Sequence, residues 1–99
     1  MSDQQTPRLM DQVHMACRLR HFSPRTEEAY AGWIRRFIAF HGMQHPSLLD
    51  TAHVAAFLST LATRDQVSAA TQNQALQAIL FLYARVLGRP LGMVNGIVR

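Results

Sequence analysis

Five histidines, six carboxylates, ten arginines and one cysteine carry the chemistry available to this 99-residue sequence, and their spacing rules out most of what such residues do. His14, His21, His41, His45 and His53 never form the i, i+4 pair with an accompanying glutamate that a zinc-binding helix presents, so they read as scattered surface or core residues. Cys17 is alone, which leaves no internal disulfide and no thiolate cluster for zinc, and fits a reducing compartment. Glu27 and Glu28 are adjacent and point to different faces of one helix rather than across a cleft. Neither a glycine-rich phosphate loop nor a Gly-x-Ser-x-Gly nucleophile turn is present. No catalytic residue, metal site or cofactor is expected within these residues.

What remains is a basic, amide-rich surface. The balance of ten basic against six acidic residues gives a net charge of +4, with a pI of about 10.6, and every basic residue is arginine. Arginine meets phosphate through a planar fork of donors, so the set is compatible with nucleic acid, although genome composition also biases Arg over Lys and many soluble proteins carry such a charge. In "HFSPRTEEAYAGWIRRFIAFHG", residues 21–42, Tyr30, Trp33, Ile34, Phe37 and Ile38 follow the spacing of a buried stripe, leaving Arg25, Glu28, Gly32, Arg35, Arg36 and Ala39 on the other side. A mid-helix glycine costs about 1 kcal/mol relative to alanine. Gly32 and Ala39 between arginines would suit the close approach of another molecule; the alternative is a solvated face, with Gly32 tolerated or used for helix packing.

A second stretch, "SAATQNQALQ", offers Ser68, Thr71, Gln72, Asn73, Gln74 and Gln77, and no acidic residue follows Asp65. Short and amide side chains at a helix N-terminus bond phosphates, helped by free backbone N–H groups and the helix dipole, and reach base edges. They are equally ordinary residues of a helix surface.

Four amphipathic helices have to position these groups, and no segment reads as a strand. A chain of this length forms one domain burying roughly 60–70% of its unfolded surface, and its apolar residues, 48% of the total, occur in short periodic groups. No apolar run approaches the roughly 20 residues of a membrane span. Residues 1–6 read as a disordered leader without signal-peptide character. The first helix is expected from about Pro7 to Arg20, with Leu9, Val13, Ala16 and Cys17 inward and Asp11, His14 and Arg18 on the other side. The second starts with Ser23 as cap and Pro24 at its first position, and stops before Gly42 in a left-handed conformation. The third follows a cap at Asp50 or Thr51 and buries Val54, Phe57, Leu58 and Leu61. The fourth follows Ser68 and carries Leu76, Ile79, Leu80, Tyr83 and Leu87 inward until Gly88 and Pro90 stop it; residues 89–99 read as the start of a linker. Phe81 lies opposite that stripe and Leu82 on another flank, so this helix is apolar nearly all round and one of its neighbours is expected to be a protein partner outside the chain. The long 43–50 loop argues against a helix-turn-helix regulator.

"FSPRTEEAYAGWIRRFIAFHG", "VAAFLSTLA" and "VSAATQNQALQAILFLYARVLG" together resemble the N-terminal core-binding domain of tyrosine site-specific recombinases, the phage-integrase group, most closely the integron integrases. The resemblance covers about residues 8–99. It rests on the Ser-Pro-x-Thr helix start, the tyrosine four residues after that Thr, the aromatic-rich helix end, the Ser-x-x-Thr start of the last helix and the connector-like tail "LGMVNGIVR". It implies an all-α, compact four-helix SAM-like orthogonal bundle over residues 7–88, one half of a C-shaped clamp on double-stranded DNA. The second and fourth helices would face the DNA, and the first would meet other recombinase protomers in a synaptic tetramer. Ser23, Arg25, Thr26, Ser68, Thr71 and Gln72 match the positions expected near DNA; Arg35, Arg36, Gln74 and Gln77 come from the reading of the exposed faces. Many relatives of this group carry an arginine where this chain has Leu80 or Phe81, which removes readout through that position. The family's catalytic tyrosine, arginines and His-x-x-Arg motif belong to a following domain, so the chain would be a non-enzymatic fragment of a cytoplasmic, nucleoid-associated bacterial recombinase that needs no cofactor.

Overall fold

Short polar side chains set three of the helix starts. Ser23 accepts from the Thr26 N–H (3.2 Å) and opens α2 (Pro24–Phe40), with Pro24 in the first turn where its missing donor is harmless. The Asp50 carboxylate accepts from the Ala52 N–H (3.0 Å) and opens α3 (Thr51–Thr63). Ser68 accepts from the Thr71 N–H (3.1 Å) and opens α4 (Ala69–Phe81). These are the expected caps. α1 (Gln5–Leu19) begins two residues ahead of the expected Pro7. A single 3-10 turn (Pro46–Leu48) interrupts the α2–α3 loop, and a π-helical extension (Leu82–Val86) continues α4. The computed structural model describes residues 5–92, and among these there is no strand: the fold is an all-α, SAM-like four-helix bundle. Residues 1–4 of the expected leader and 93–99 of the expected linker lie outside the described residues. Gly42 and Gly88 adopt positive φ (72° and 65°), as their places after α2 and after the π turn require.

One core joins the helices. Leu9, Val13 and Cys17 enter it from α1, Ile34, Phe37 and Ile38 from α2, and all four expected residues of α3, with Ile79, Leu82 and Tyr83 from the fourth helical segment. Rings tie α2 down at two places seven residues apart. Tyr30 meets Phe22 (5.4 Å) and Phe81 (5.5 Å), while Phe37 meets Phe57 (5.7 Å) and Tyr83 (6.5 Å), all edge-on. Tyr30 and Trp33 are only half-buried, at the margin of the stripe, and Leu76, Leu80 and Leu87 are half-buried as well.

Phe81 and Leu82 correct the sequence reading. They are 9% and 0% exposed, so neither is an available flank for a partner. Phe22, in the α1–α2 connection, turns back over Phe81 (5.3 Å) and supplies the neighbour expected from outside the chain. Beyond Phe81 the backbone bonds i→i+5, as in the 3.0 Å bond from the Leu87 N–H to the Leu82 carbonyl, so a helical wheel drawn at constant pitch loses phase there.

Among the described residues, buried polar side-chain atoms are each partnered. The Tyr83 hydroxyl donates to the Pro46 carbonyl (2.7 Å), and burial pushes the phenol up to about 12. Arg89 lies over the Tyr83 ring (5.1 Å) and donates to the Leu49 carbonyl (2.9 Å), so the chain is still fastened to the bundle beyond Gly88. Glu27 is buried, accepts from His14 Nδ1–H (2.6 Å) and lies 3.4 Å from Arg18; Glu28 is exposed, as adjacent positions require. The His14 hydrogen bond and the Arg18 guanidinium hold the Glu27 carboxyl below the usual carboxylate range against the opposing effect of burial.

Two outcomes follow for stability. Tyr83→Phe removes one buried donor, but the Pro46 carbonyl keeps the Leu49 N–H (3.0 Å); the loss in urea denaturation is therefore about 1 kcal/mol, below the ~3 kcal/mol of an orphaned group. For Glu27, the folded-state value lies below the unfolded one, so its contribution is complete above the unfolded value and disappears as pH falls through the folded value. The melting-temperature gap between wild type and Glu27→Gln accordingly narrows between about pH 5 and pH 2.

Candidate nucleic-acid interface

Helices α2 and α4 pack side by side in opposite directions. Tyr30 near the start of α2 meets Phe81 at the end of α4, Trp33 meets Gln74 in the first half of α4, and Arg36 reaches Asp65 ahead of α4. The outward edge of this pair holds a continuous run of side chains. Trp33 Nε1–H donates to Gln74 Oε1 (3.3 Å), the Arg36 guanidinium lies over the indole (4.8 Å), and Asp65 receives both Arg36 (3.6 Å) and Arg64 Nε–H (3.0 Å). Stacking on an indole holds a guanidinium in one orientation while leaving its donors available.

Of the expected residues, Arg36 and Gln74 belong to this run, and most of the others stand exposed or half-buried along the same two helices. Arg25 is exposed three turns before Arg36, about 16 Å away along the axis at ~1.5 Å per residue. Gln77 is exposed one turn beyond Gln74. Ser23 and Ser68 stand at the two helix starts, where their hydroxyls cap the backbone and meet Thr26 Oγ1 and Thr71 Oγ1 (3.1 Å each); Thr26 and Thr71 are half-buried beside them. The first turn of α4 has no acidic residue. That of α2 has only Glu27, which is turned inward to His14, so neither helix N-terminus is neutralised from outside. A Cβ on Gly32 would meet no atom of the chain, so helix packing does not require a glycine there.

Two expected residues are engaged elsewhere. Gln72 is 4% exposed and donates from Nε2 to the Leu58 carbonyl (3.0 Å), so its amide fastens α4 to α3 and cannot reach a ligand. Arg35 is exposed but turns toward α1, lining a depression of about 250 Å³ with Met10, Ile38, Ala39 and Met43. Arg64 and Asp65, in the turn ahead of α4, join this run without having been singled out in the sequence; an Arg-Asp pair ahead of a capped, amide-rich helix is the signal for them.

Cys17 and Tyr83 are both held in the core. Cys17 is fully buried, and burial together with the nearby Glu27 charge pushes its thiol up. Tyr83 is committed to Pro46. Among the described residues no group of three His, Cys, Asp or Glu side chains is placed to hold a metal ion, and no helix is long and apolar enough to cross a membrane.

Such a bundle, with Arg36, Trp33 and Gln74 joined along one edge, is a SAM-like helical domain. Residues 9–93 match the phage integrase N-terminal SAM-like domain, and the chain belongs to that family. It is 46% identical over 92 residues to proteins named integrase/recombinase from Escherichia coli and from Pseudomonas aeruginosa. Each alignment takes in 93% of this chain and 27% of the relative, so the chain spans about a quarter of the length of the curated relatives it matches.

The different duties of the glutamines give a direct test. Gln72→Ala, which removes the buried bond to Leu58, lowers stability by about 2 kcal/mol in chemical denaturation, while Gln77→Ala stays within about 0.5 kcal/mol of wild type.

Proposed function

We propose that this domain grips the phosphate backbone of duplex DNA at recombination sites with the α2–α4 edge, as one half of a clamp in an integron-type integrase. The observation that carries the reading is the run Gln74–Trp33–Arg36, which joins the two helices into one oriented basic surface. Membership of the integrase family and the similarity to integrase/recombinase proteins support it. Arg25 and Arg36 make phosphate contacts, Gln74 and Gln77 lie where a groove edge would pass, and Ser23, Thr26, Ser68 and Thr71 shape the helix starts that face the backbone. Arg35 is left for contacts at the α1 side. The strand cutting and rejoining expected of the parent protein belongs to a following domain and to its partner protomers, and nucleoid association follows from DNA binding.

A second reading is favoured by Met15 and Leu19, which are 64% and 74% exposed one turn apart on α1. This face suits contact between recombinase protomers. Amide shift mapping separates the two: changes upon adding duplex fall on residues 23–36 and 68–77, and changes with protein concentration fall around Met15 and Leu19.

Binding of the isolated domain falls on the order of 10⁻⁴ to 10⁻⁶ M, as for backbone contacts without base readout. In titrations of a fluorescein-labelled duplex at several salt concentrations, Arg25→Ala and Arg36→Ala each flatten the log–log salt slope by about 0.9. An unchanged slope removes that arginine from the interface.

A further inference from the structure

We infer that Arg36 and Arg64 form a two-armed seat for one backbone phosphate, and that Asp65 occupies this seat in the free protein as an internal competitor. The inference rests on the duplex-binding reading above and adds to it a residue, Arg64, and a limit on affinity. Each oxygen of the Asp65 carboxylate serves one arginine: Oδ1 accepts from Arg64 Nε–H at 3.0 Å, and Oδ2 lies 3.6 Å from Arg36 Nη2. A phosphodiester presents two non-bridging oxygens with the same single negative charge, so it can meet the same pair of guanidinium forks.

The seat is accessible and prepared. Both arginine side chains are more than half exposed. They border an open depression of about 520 Å³ between α2 and α3, floored by Phe57 and Leu61. Arg36 is steadied by Trp33, and Trp33 in turn by Gln74, so one arm is oriented before any ligand arrives. Asp65 sits in the turn after α3, where its backbone N–H bonds the Thr60 carbonyl (3.2 Å). Its carboxylate can therefore leave by side-chain rotation alone. An exposed ion pair is weak enough to be exchanged, but the displaced carboxylate stays beside the incoming polyanion and opposes it. Asp65 thus orders the two arginines and at the same time weakens the complex.

The experiment is anisotropy with the labelled duplex, comparing wild type, Asp65→Asn, Arg64→Ala, the double variant, and Asp11→Asn as a control on an exposed carboxylate of α1. Thermal melting confirms that each variant folds. Asp65→Asn binds roughly three- to tenfold more tightly at low salt and steepens the salt slope by up to about 0.9, whereas Asp11→Asn changes affinity by less than about twofold. Arg64→Ala weakens binding and cancels most of the gain in the double variant. Equal gains from Asp65→Asn and Asp11→Asn reduce the effect to net charge and overturn the inference, as does an Arg64→Ala change that is silent in both backgrounds. Wild-type binding with a silent Asp65→Asn sinks this inference alone; absence of duplex binding by every variant sinks the DNA reading with it.

Discussion

Helix α2 is anchored by rings at two points, and the orientation of every outward group on it depends on those anchors. Tyr30 wedges against Phe22 and Phe81, Phe37 against Phe57 and Tyr83, so the helix can neither roll nor slide without opening an aromatic cluster. Trp33 lies between the two anchors at i+3 from Tyr30, far enough round the helix to emerge at the surface. An interior fixed by packing thereby sets the angle at which Arg36 and its neighbours meet solvent. Close packing makes such an arrangement stiff, since rotating one anchored ring requires its neighbours to move as well.

Residue type alone does not separate the groups that hold the bundle from those that face outward. Gln72, Gln74 and Gln77 lie on one helix within two turns, yet the first binds a carbonyl of α3, the second an indole of α2, and the third faces water. Carboxylates divide in the same way: Glu27 is drawn in by His14 and Arg18, while Asp65 stays at the rim between two arginines. What decides each case is the neighbouring element. Burial without a partner is costly, so an amide or acid goes inside only where a donor or acceptor already waits.

Much of the fold was legible in the sequence because local chemistry fixes it. Ser23, Asp50 and Ser68 cap their helices, Gly42 takes a left-handed conformation, and Val54, Phe57, Leu58 and Leu61 are buried at the expected spacing. The resemblance to the phage-integrase group agrees, at that level, with the match over residues 9–93. Less of the candidate site was legible, since it depends on which elements meet. Phe81 looked unpartnered because a helical wheel shows neither the change of pitch after it nor the return of Phe22, which lies far away in the sequence. Gln72 looked available because its partner, a main-chain carbonyl of α3, leaves no trace in side-chain patterns. Arg64 and Asp65 drew no attention in the sequence because the link from Asp65 to Arg36 spans the gap between two elements.

Trp33 is the chain's only indole. Its nitrogen is tied to α4 and its face is covered by Arg36 of its own helix, so emission excited selectively from the indole originates at a single spot on the basic edge. The molecule therefore carries an intrinsic optical gauge, needing no dye, located where the two candidate binding helices touch.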